Sequence, residues 1–138
     1  KILRKRLFLF DNHQVLIILE QINEALKTVL SRFEVVTDSN YFTDSPAGKE
    51  KLDGICMQLI AIGESLKNID KLTDKQLLQE YAQIDWTGAK GVRDVISHHY
   101  FDIDAEEIFW ICDQQIKPMQ LTVEKIISDL NATDFPHR

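Results

Sequence analysis

The chain has 138 residues, of which 44% are hydrophobic and 28% are charged, with only 5 glycines and 3 prolines. This length suits one domain with a single core, and the composition excludes disordered, collagen-like and turn-rich β-sandwich proteins. The formal net charge of −6 argues against a protein that holds nucleic acid through its overall field, so any such contact must be local.

Residues 1–10 form an N-terminal segment that belongs to the first helix or precedes it, within the single domain expected over residues 1–138. Its basic residues precede an apolar run that is too short for a signal peptide. No stretch of the chain approaches the roughly 18 apolar residues of a membrane span, so we expect no membrane association. Arg4, Lys5 and Arg6 form the densest basic cluster, which is either a solvated terminal segment or an RNA-backbone contact.

Apolar residues recur every three or four positions along almost the whole chain, which predicts an all-helical protein. A first long helix begins after Asp11 and ends before the polar residues 38–44. Ser45 and Pro46 supply an N-cap and a first-turn proline for a second long helix, which is predicted to end near Asn68.

Three further helices are predicted in the second half of the chain. Thr73 and Gln76 have the spacing of a capping box, which predicts a short connecting helix. Asp85 caps a helix over residues 86–100, and Asp104 caps a last long helix that Pro118 should kink. Four long helices joined by short loops most economically form an up-and-down four-helix bundle, with the additional short helix packed on its side.

The helix over residues 86–100 carries most of the residues that suggest chemistry. At about 100° per residue, the sequence separates two sides of this helix. One side carries four polar or aromatic residues: Arg93, Asp94, His98 and Tyr100. The opposite side, expected to face the core, carries four small or branched apolar residues: Ala89, Val92, Val95 and Ile96.

The residue types on the polar side suit phosphodiester chemistry without a metal. Arginine pairs with phosphate oxygens, histidine with its pKa of about 6.5 transfers protons at neutral pH, and an aspartate one turn earlier can orient the histidine. An Asp94–His98 pair is also common on helix surfaces without any function. His99 lies on the core side and is a packing histidine or a direct participant, and Phe101 extends the polar side into a strip typical of a site or an interface.

The motif Arg93-x-x-x-x-His98-x-Tyr100 resembles the Arg-x(4–6)-His signature of HEPN domains, in the form found in HepT-like toxins. The residue after the arginine of that family is often Asn and is Asp94 here, which leaves open its role as a hydrogen-bond donor. Three further segments are similar to the family: residues 60–67, Asp85-Trp86 and residues 100–104.

The resemblance implies a helical-bundle endoribonuclease toxin without a cofactor, encoded beside an MNT-type nucleotidyltransferase antitoxin that adds AMP to the motif tyrosine, here Tyr100. It also implies a homodimer whose facing motif helices form one composite cleft. In that cleft, we expect one His98 to accept the proton of a ribose 2′-hydroxyl and the other to protonate the leaving 5′-oxygen. The two Arg93 side chains would stabilise the charge on phosphorus, with Asp94 and Tyr100 in support.

Two other functions remain open from the residues alone. The first is a non-catalytic dimer that binds nucleotide or serves as an accessory subunit of a minimal nucleotidyltransferase, in which Arg93 is only a phosphate ligand. The second is a structural bundle whose polar strip is a dimer seam. The acidic balance weakens the nuclease hypothesis, because positive potential must then be concentrated in the cleft.

Other residues of functional types have a structural interpretation beside the functional one. Gly63, within an apolar helix, indicates close helix packing, and Glu64 either pairs with the lysine three residues on or reaches the cleft. Trp86 is a core or interface anchor, or alternatively stacks on a base. Cys56 and Cys112 match no metal-ligand spacing and are expected to be small core residues in a reducing cytoplasm.

Overall fold

The computed structural model describes residues 11–98 and 101–134, apart from the side chains of residues 98, 133 and 134. This part of the chain is helical and contains no strand. Its α-helices are α1 (Asn12–Phe33), α2 (Pro46–Leu72), α3 (Trp86–His98), α4 (Ala105–Trp110) and α5 (Ile116–Asp134). Two 3-10 helices connect them, Ser39–Phe42 and Leu78–Tyr81, and a π-helical segment, Ile111–Gln115, joins α4 to α5. The N-terminal segment with its basic cluster lies outside the described residues.

The long helices begin where the sequence predicts, because a side chain at each start accepts a hydrogen bond from a free backbone N–H group. Asp11, for example, accepts from the N–H of Gln14 at 3.1 Å. The capping residues of α1, α2, α3 and α4 are Asp11, Ser45, Asp85 and Asp104.

The core lies between α1, α2 and the α4–α5 rod, and α3 packs against α2. Each fully buried aliphatic side chain contributes about 1.5–3 kcal/mol through the hydrophobic effect. The centre of the bundle contains Leu19, Leu26, Leu52, Ile55, Leu66 and Ile126. The predicted all-α bundle is therefore confirmed, and none of the described helices combines the length and apolar character needed to cross a membrane.

The end of α2 differs from the prediction. The helix continues past Asn68 to Leu72, and Thr73 terminates it by donating both its N–H and its hydroxyl to the carbonyl of Ile69, at 3.0 and 2.8 Å. The next two residues have φ of 52° and 62°, which interrupts the helix. Thr73 thus ends α2, and its hydroxyl also accepts from the N–H of Leu77 at 3.4 Å, directly before the connecting helix, which is the single 3-10 turn Leu78–Tyr81.

The short connecting helix packs on the bundle as expected. The Tyr81 hydroxyl donates to the carboxylate of Asp129 on α5 at 2.6 Å. The sequence predicts a kink at Pro118, and what the structure shows is a π-helical segment that ends three residues before it. A proline has no N–H group to donate to the carbonyl of Gln114, four residues before it, so a regular α-helix loses a hydrogen bond there.

Candidate active site

The exposed face of α3 carries Arg93 and Asp94, as the helical periodicity predicts. Val92 and Ile96 lie on the opposite face and are buried. Val95 was expected to face the core, but the structure corrects this, because 41% of its surface is exposed. The physical reason is that α3 packs mainly against α2, so only a narrow arc of the helix is covered.

The remaining motif residues lie at or beyond the end of the described part of α3. His98 is the last described residue of the helix, and its side chain lies outside the described residues, as do His99 and Tyr100. The roles of His98 and Tyr100, and of Asp94 in orienting His98, therefore stay predictions. Phe101, the residue after Tyr100, is 92% exposed. This exposure agrees with the prediction that Phe101 extends the polar side of the helix.

A close contact between α2 and α3 brings a second helix to the side of Arg93. A Cβ atom on Gly63 would lie only 2.8 Å from the carbonyl oxygen of Ala89 on α3. Only a residue without a side chain allows the two backbones to approach this closely. The packing interpretation of Gly63 therefore agrees with the structure, and the residue after it, Glu64, is carried to the α3 surface.

We expect Gly63→Ala to lower the free energy of unfolding by about 1–3 kcal/mol, because the added methyl group forces α2 and α3 apart. Gly91→Ala on α3 is a matched control, since a Cβ atom there meets nothing within 4 Å. Alanine in a helix interior should stabilise the control by up to about 1 kcal/mol. Denaturant unfolding of both variants measures the difference, and equal stability of Gly63→Ala and the parent protein would contradict the packing role.

Glu64 makes both of the contacts that the sequence left as alternatives. Its Oε2 atom accepts a hydrogen bond from Lys67 Nζ at 3.1 Å, and its Oε1 atom lies 3.6 Å from Arg93 Nη1. The hydrogen bond from Lys67, and then the charges of Lys67 and Arg93, lower the pKa of the Glu64 carboxyl, although partial desolvation opposes them. Glu64 is therefore an anion at neutral pH that holds the arginine from the neighbouring helix.

The Arg93 guanidinium remains able to bind a further anion. Its side chain is 55% exposed, and its contact with Glu64 involves one terminal nitrogen. A guanidinium presents several N–H groups in a planar fork, so donors remain for the oxygens of a phosphate. The geometry suits an arginine that is oriented before its ligand binds.

Three residues for which the sequence analysis considered a functional role, Trp86, Cys56 and Cys112, are buried in the core. Trp86 is buried, and its Nε1–H group donates to the carbonyl of Tyr81 at 2.9 Å, so it anchors the start of α3 and cannot stack on a base. Burial is the larger cause that raises the pKa of the Cys56 thiol to about 11 and that of Cys112 to about 12, and the charges of Asp53 and Cys56, respectively, act in the same direction. Both cysteines are therefore neutral, inert core residues, as predicted.

A groove beside the α3 face that carries Arg93 contains Lys67, the predicted partner of Glu64, and three lysines that the sequence did not single out. Lys67 and Lys71 of α2 and Lys90 of α3 contribute to it, and Lys75 lies just beyond the end of α2. Lys67, Lys71 and Lys75 are spaced four residues apart in the sequence. This spacing indicates a basic side at the end of α2 and in the turn after it. No group of three or more His, Cys, Asp or Glu residues suited to a metal ion occurs within residues 11–98 and 101–134.

The fold and the motif together define a class of protein, an all-α bundle that exposes an arginine on its third helix five residues before a histidine. The sequence model of the HepT-like family, described as "Ribonuclease HepT-like", matches residues 22–126, which is more than half of the chain. The chain belongs to this HepT-like ribonuclease family. The matched residues include both Arg93 and His98.

Two proteins of the archaeon Methanocaldococcus jannaschii are similar to the chain. "Putative RNase MJ0127" is 28% identical over 129 residues, which cover 94% of this chain and 92% of that protein. "Putative RNase MJ1216" is 29% identical over 79 residues, which cover 57% of this chain and 60% of that protein. No solved structure matches the chain significantly.

Proposed function

We propose that the protein is a metal-independent endoribonuclease toxin of a type VII-like toxin–antitoxin pair, which cuts RNA in the cytoplasm at a site shared by two subunits. The observation that carries this proposal is the exposed Arg93, held by Glu64 across two helices and followed five residues later by His98 at the end of α3. The family match and the names of the two similar proteins support ribonuclease chemistry.

The reaction requires two proton transfers and stabilisation of a charged phosphorus centre. His98 of one subunit accepts the proton of the ribose 2′-hydroxyl, and the 2′-oxygen then forms a bond to phosphorus. The bond from phosphorus to the 5′-oxygen breaks, and His98 of the other subunit protonates that oxygen. Arg93 from each subunit stabilises the negative charge that develops on the phosphate oxygens. The products are a 2′,3′-cyclic phosphate and a 5′-hydroxyl.

Exposed apolar residues near the C-terminal end of α3 support the dimer. Val95 is 41% exposed and Phe101, which follows the helix, is 92% exposed, so apolar surface is available at the end of α3 where the motif lies. Exposed aromatic residues and arginines are enriched at protein interfaces. A two-fold axis through this surface would bring two copies of the motif together.

The proposed partner is an MNT-type nucleotidyltransferase antitoxin that attaches AMP to Tyr100. The attached phosphate would carry a negative charge to the face where Arg93 binds phosphate, and the adenosine would occupy space that RNA needs. Inhibition by this route requires no change of fold. The alternative function is a non-catalytic dimer that binds nucleotide or accompanies the nucleotidyltransferase, with Arg93 as a phosphate ligand only.

The purified protein is expected to sediment as a dimer at micromolar concentration and to cleave labelled RNA in the presence of EDTA. Analysis of the ends should find cyclic phosphates, because the 2′-hydroxyl is the nucleophile. Cleavage that EDTA abolishes would contradict the metal-independent mechanism, and an active monomer would contradict the composite site. Binding of nucleotide by the dimer without any RNA cleavage would support the non-catalytic alternative.

A further inference from the structure

A groove of about 500 Å³ lies between the C-terminal part of α2 and the middle of α3. Four lysines line it: Lys67, Lys71, Lys75 and Lys90. Lys67 and Lys71 are four residues apart on α2, which places them about 6 Å apart along the helix axis, and Lys75 lies in the turn that follows. Lys90 faces them from α3, so basic side chains are present on both walls.

The groove has a different charge from the rest of the chain. The chain has 16 lysines and arginines against 22 aspartates and glutamates, whereas the groove is lined by four lysines and three aspartates. One of those aspartates, Asp70, already forms an ion pair with Lys90. Lys71 and Lys75 are exposed and form no ion pair with any residue of the described ranges. These two lysines are therefore available to an anion from solution.

The backbone holds Lys75 in an unusual conformation on the rim of the groove. Its φ is 62°, in the left-handed region where glycine is the residue of lowest strain. The N–H of Lys75 donates to the carbonyl of Asp70 at 2.8 Å, so the turn is fixed by a hydrogen bond. Lysine occupies a position where glycine would fit better, which is consistent with a function for its charge.

The groove continues directly from the Arg93 face. Lys67 on its wall bonds to Glu64, which in turn holds Arg93. Asp94, the residue after Arg93, also lines the groove. An extended anion that places one phosphate at Arg93 would therefore have its next phosphate near Lys67, at the start of the groove.

We propose that this lysine groove binds the sugar-phosphate backbone of the RNA strand beside the bond that is cut. The inference rests on the proposed function, because Arg93 marks the phosphate that reacts. The described lining contains lysines, aspartates, a threonine and a glycine but no aromatic side chain. It therefore offers charge to phosphates and no platform on which a base could stack, so the groove binds RNA without regard to its sequence.

The test compares binding of a 2′-O-methyl oligoribonucleotide, which cannot be cleaved because its nucleophile is blocked, to the full chain and to Lys71→Ala/Lys75→Ala. At about 0.1 M salt we expect the double variant to bind about tenfold more weakly. The slope of log affinity against log salt should become shallower by about 1.4, or about 0.7 for each lost phosphate contact with a single strand.

The matched control is Lys49→Ala/Lys51→Ala, which removes the same charge from the other end of α2. Lys49 lies about 27 Å from Lys67 along the helix, so the control should keep the affinity and salt slope of the parent. Lys71→Gln/Lys75→Gln retains most of the side-chain length and should reproduce the loss if the alanine variant proves unstable.

Failure of the groove and failure of the nuclease function give different results. If the parent cleaves RNA but Lys71→Ala/Lys75→Ala keeps its affinity and salt slope, the groove proposal is overturned and the nuclease stands. If the parent cleaves no RNA but binds the oligonucleotide through these lysines, the groove stands and the nuclease proposal fails. Displacement of the oligonucleotide by an equal concentration of ATP would indicate a mononucleotide site and overturn strand binding.

Discussion

The His98→Ala variant is expected to lose RNA cleavage, with kcat lower by at least about 100-fold to 10,000-fold, because both the general base for the 2′-hydroxyl and the general acid for the 5′-oxygen are then missing from the dimer. The free energy of unfolding should change by less than about 0.5 kcal/mol, since His98 lies at the end of α3 on the side predicted to face solvent. Full cleavage by a folded His98→Ala protein would exclude the proposed mechanism.

The Arg93→Ala variant should lose cleavage to a similar extent for a different reason. In the proposed mechanism a guanidinium from each subunit stabilises charge that develops on the phosphate, and the loss of even one such donor typically costs about 100-fold to 1,000-fold. Arg93→Lys should recover little activity, because a compact ammonium cannot reproduce the planar fork. If lysine restored cleavage to the level of the parent, Arg93 would supply only a general positive charge.

Arg32→Ala is a suitable control for the loss of an arginine. Arg32 is also exposed and also contacts α2, where its Nη1 atom donates to the carbonyl of Gly54 at 3.3 Å. That contact lies ten residues before Glu64, or about 15 Å along the helix, so the control should cleave RNA like the parent. A similar loss of activity in the control would mean that cleavage depends on the packing of α2 and not on Arg93 itself.

The helix starts were predictable from the sequence because their determinants are local. A capping side chain and the N–H groups that it accepts lie within three residues of each other, as at Asp11 and Asp85. Thr73 shows the limit of this signal. Its hydroxyl donates backward to the carbonyl of Ile69, so the same residue that resembles a helix start terminates the preceding helix.

Of the candidate site, only the features that depend on α3 alone could be predicted from the sequence. Periodicity of about 100° per residue places Arg93 and Asp94 on the exposed side of α3. The contact of Arg93 with Glu64 depends on how closely α2 approaches α3 at Gly63, and the exposure of Val95 depends on how many helices cover α3. The spacing of residues along one helix encodes neither the approach of α2 to α3 nor the number of helices that cover α3.

The lysine groove has the same physical origin. The row Lys67, Lys71 and Lys75 is visible at four-residue intervals, but it resembles an ordinary solvated face until α3 adds Lys90 opposite it. The positive φ of Lys75 also depends on the turn after α2, which the sequence analysis had assigned to a capping box. Local patterns thus predict the faces of the helices, whereas the cavity follows from their packing.

The switch proposed at Tyr100 follows from its distance from Arg93 along the chain. The sequence periodicity of about 100° per residue predicts that Tyr100 lies on the same side as Arg93, about 20° from it around the helix. An AMP group on its hydroxyl would extend the side chain by a phosphate that Arg93 can bind. The arginine proposed to stabilise the reacting phosphate would then be occupied by the phosphate of the attached AMP.

The Tyr100→Phe variant should therefore keep its ribonuclease activity and toxicity but resist neutralisation by a nucleotidyltransferase partner with ATP and Mg²⁺. Phenylalanine retains the ring and lacks only the oxygen to which AMP is attached. Mass spectrometry should find AMP-sized increases on Tyr100 in the parent protein and none at this position in the variant. The partner must be present in sub-stoichiometric amounts, so that only catalytic modification, and not occlusion of the cleft, can silence the toxin. If Tyr100→Phe were silenced as fully as the parent under these conditions, modification of this tyrosine would not be the switch.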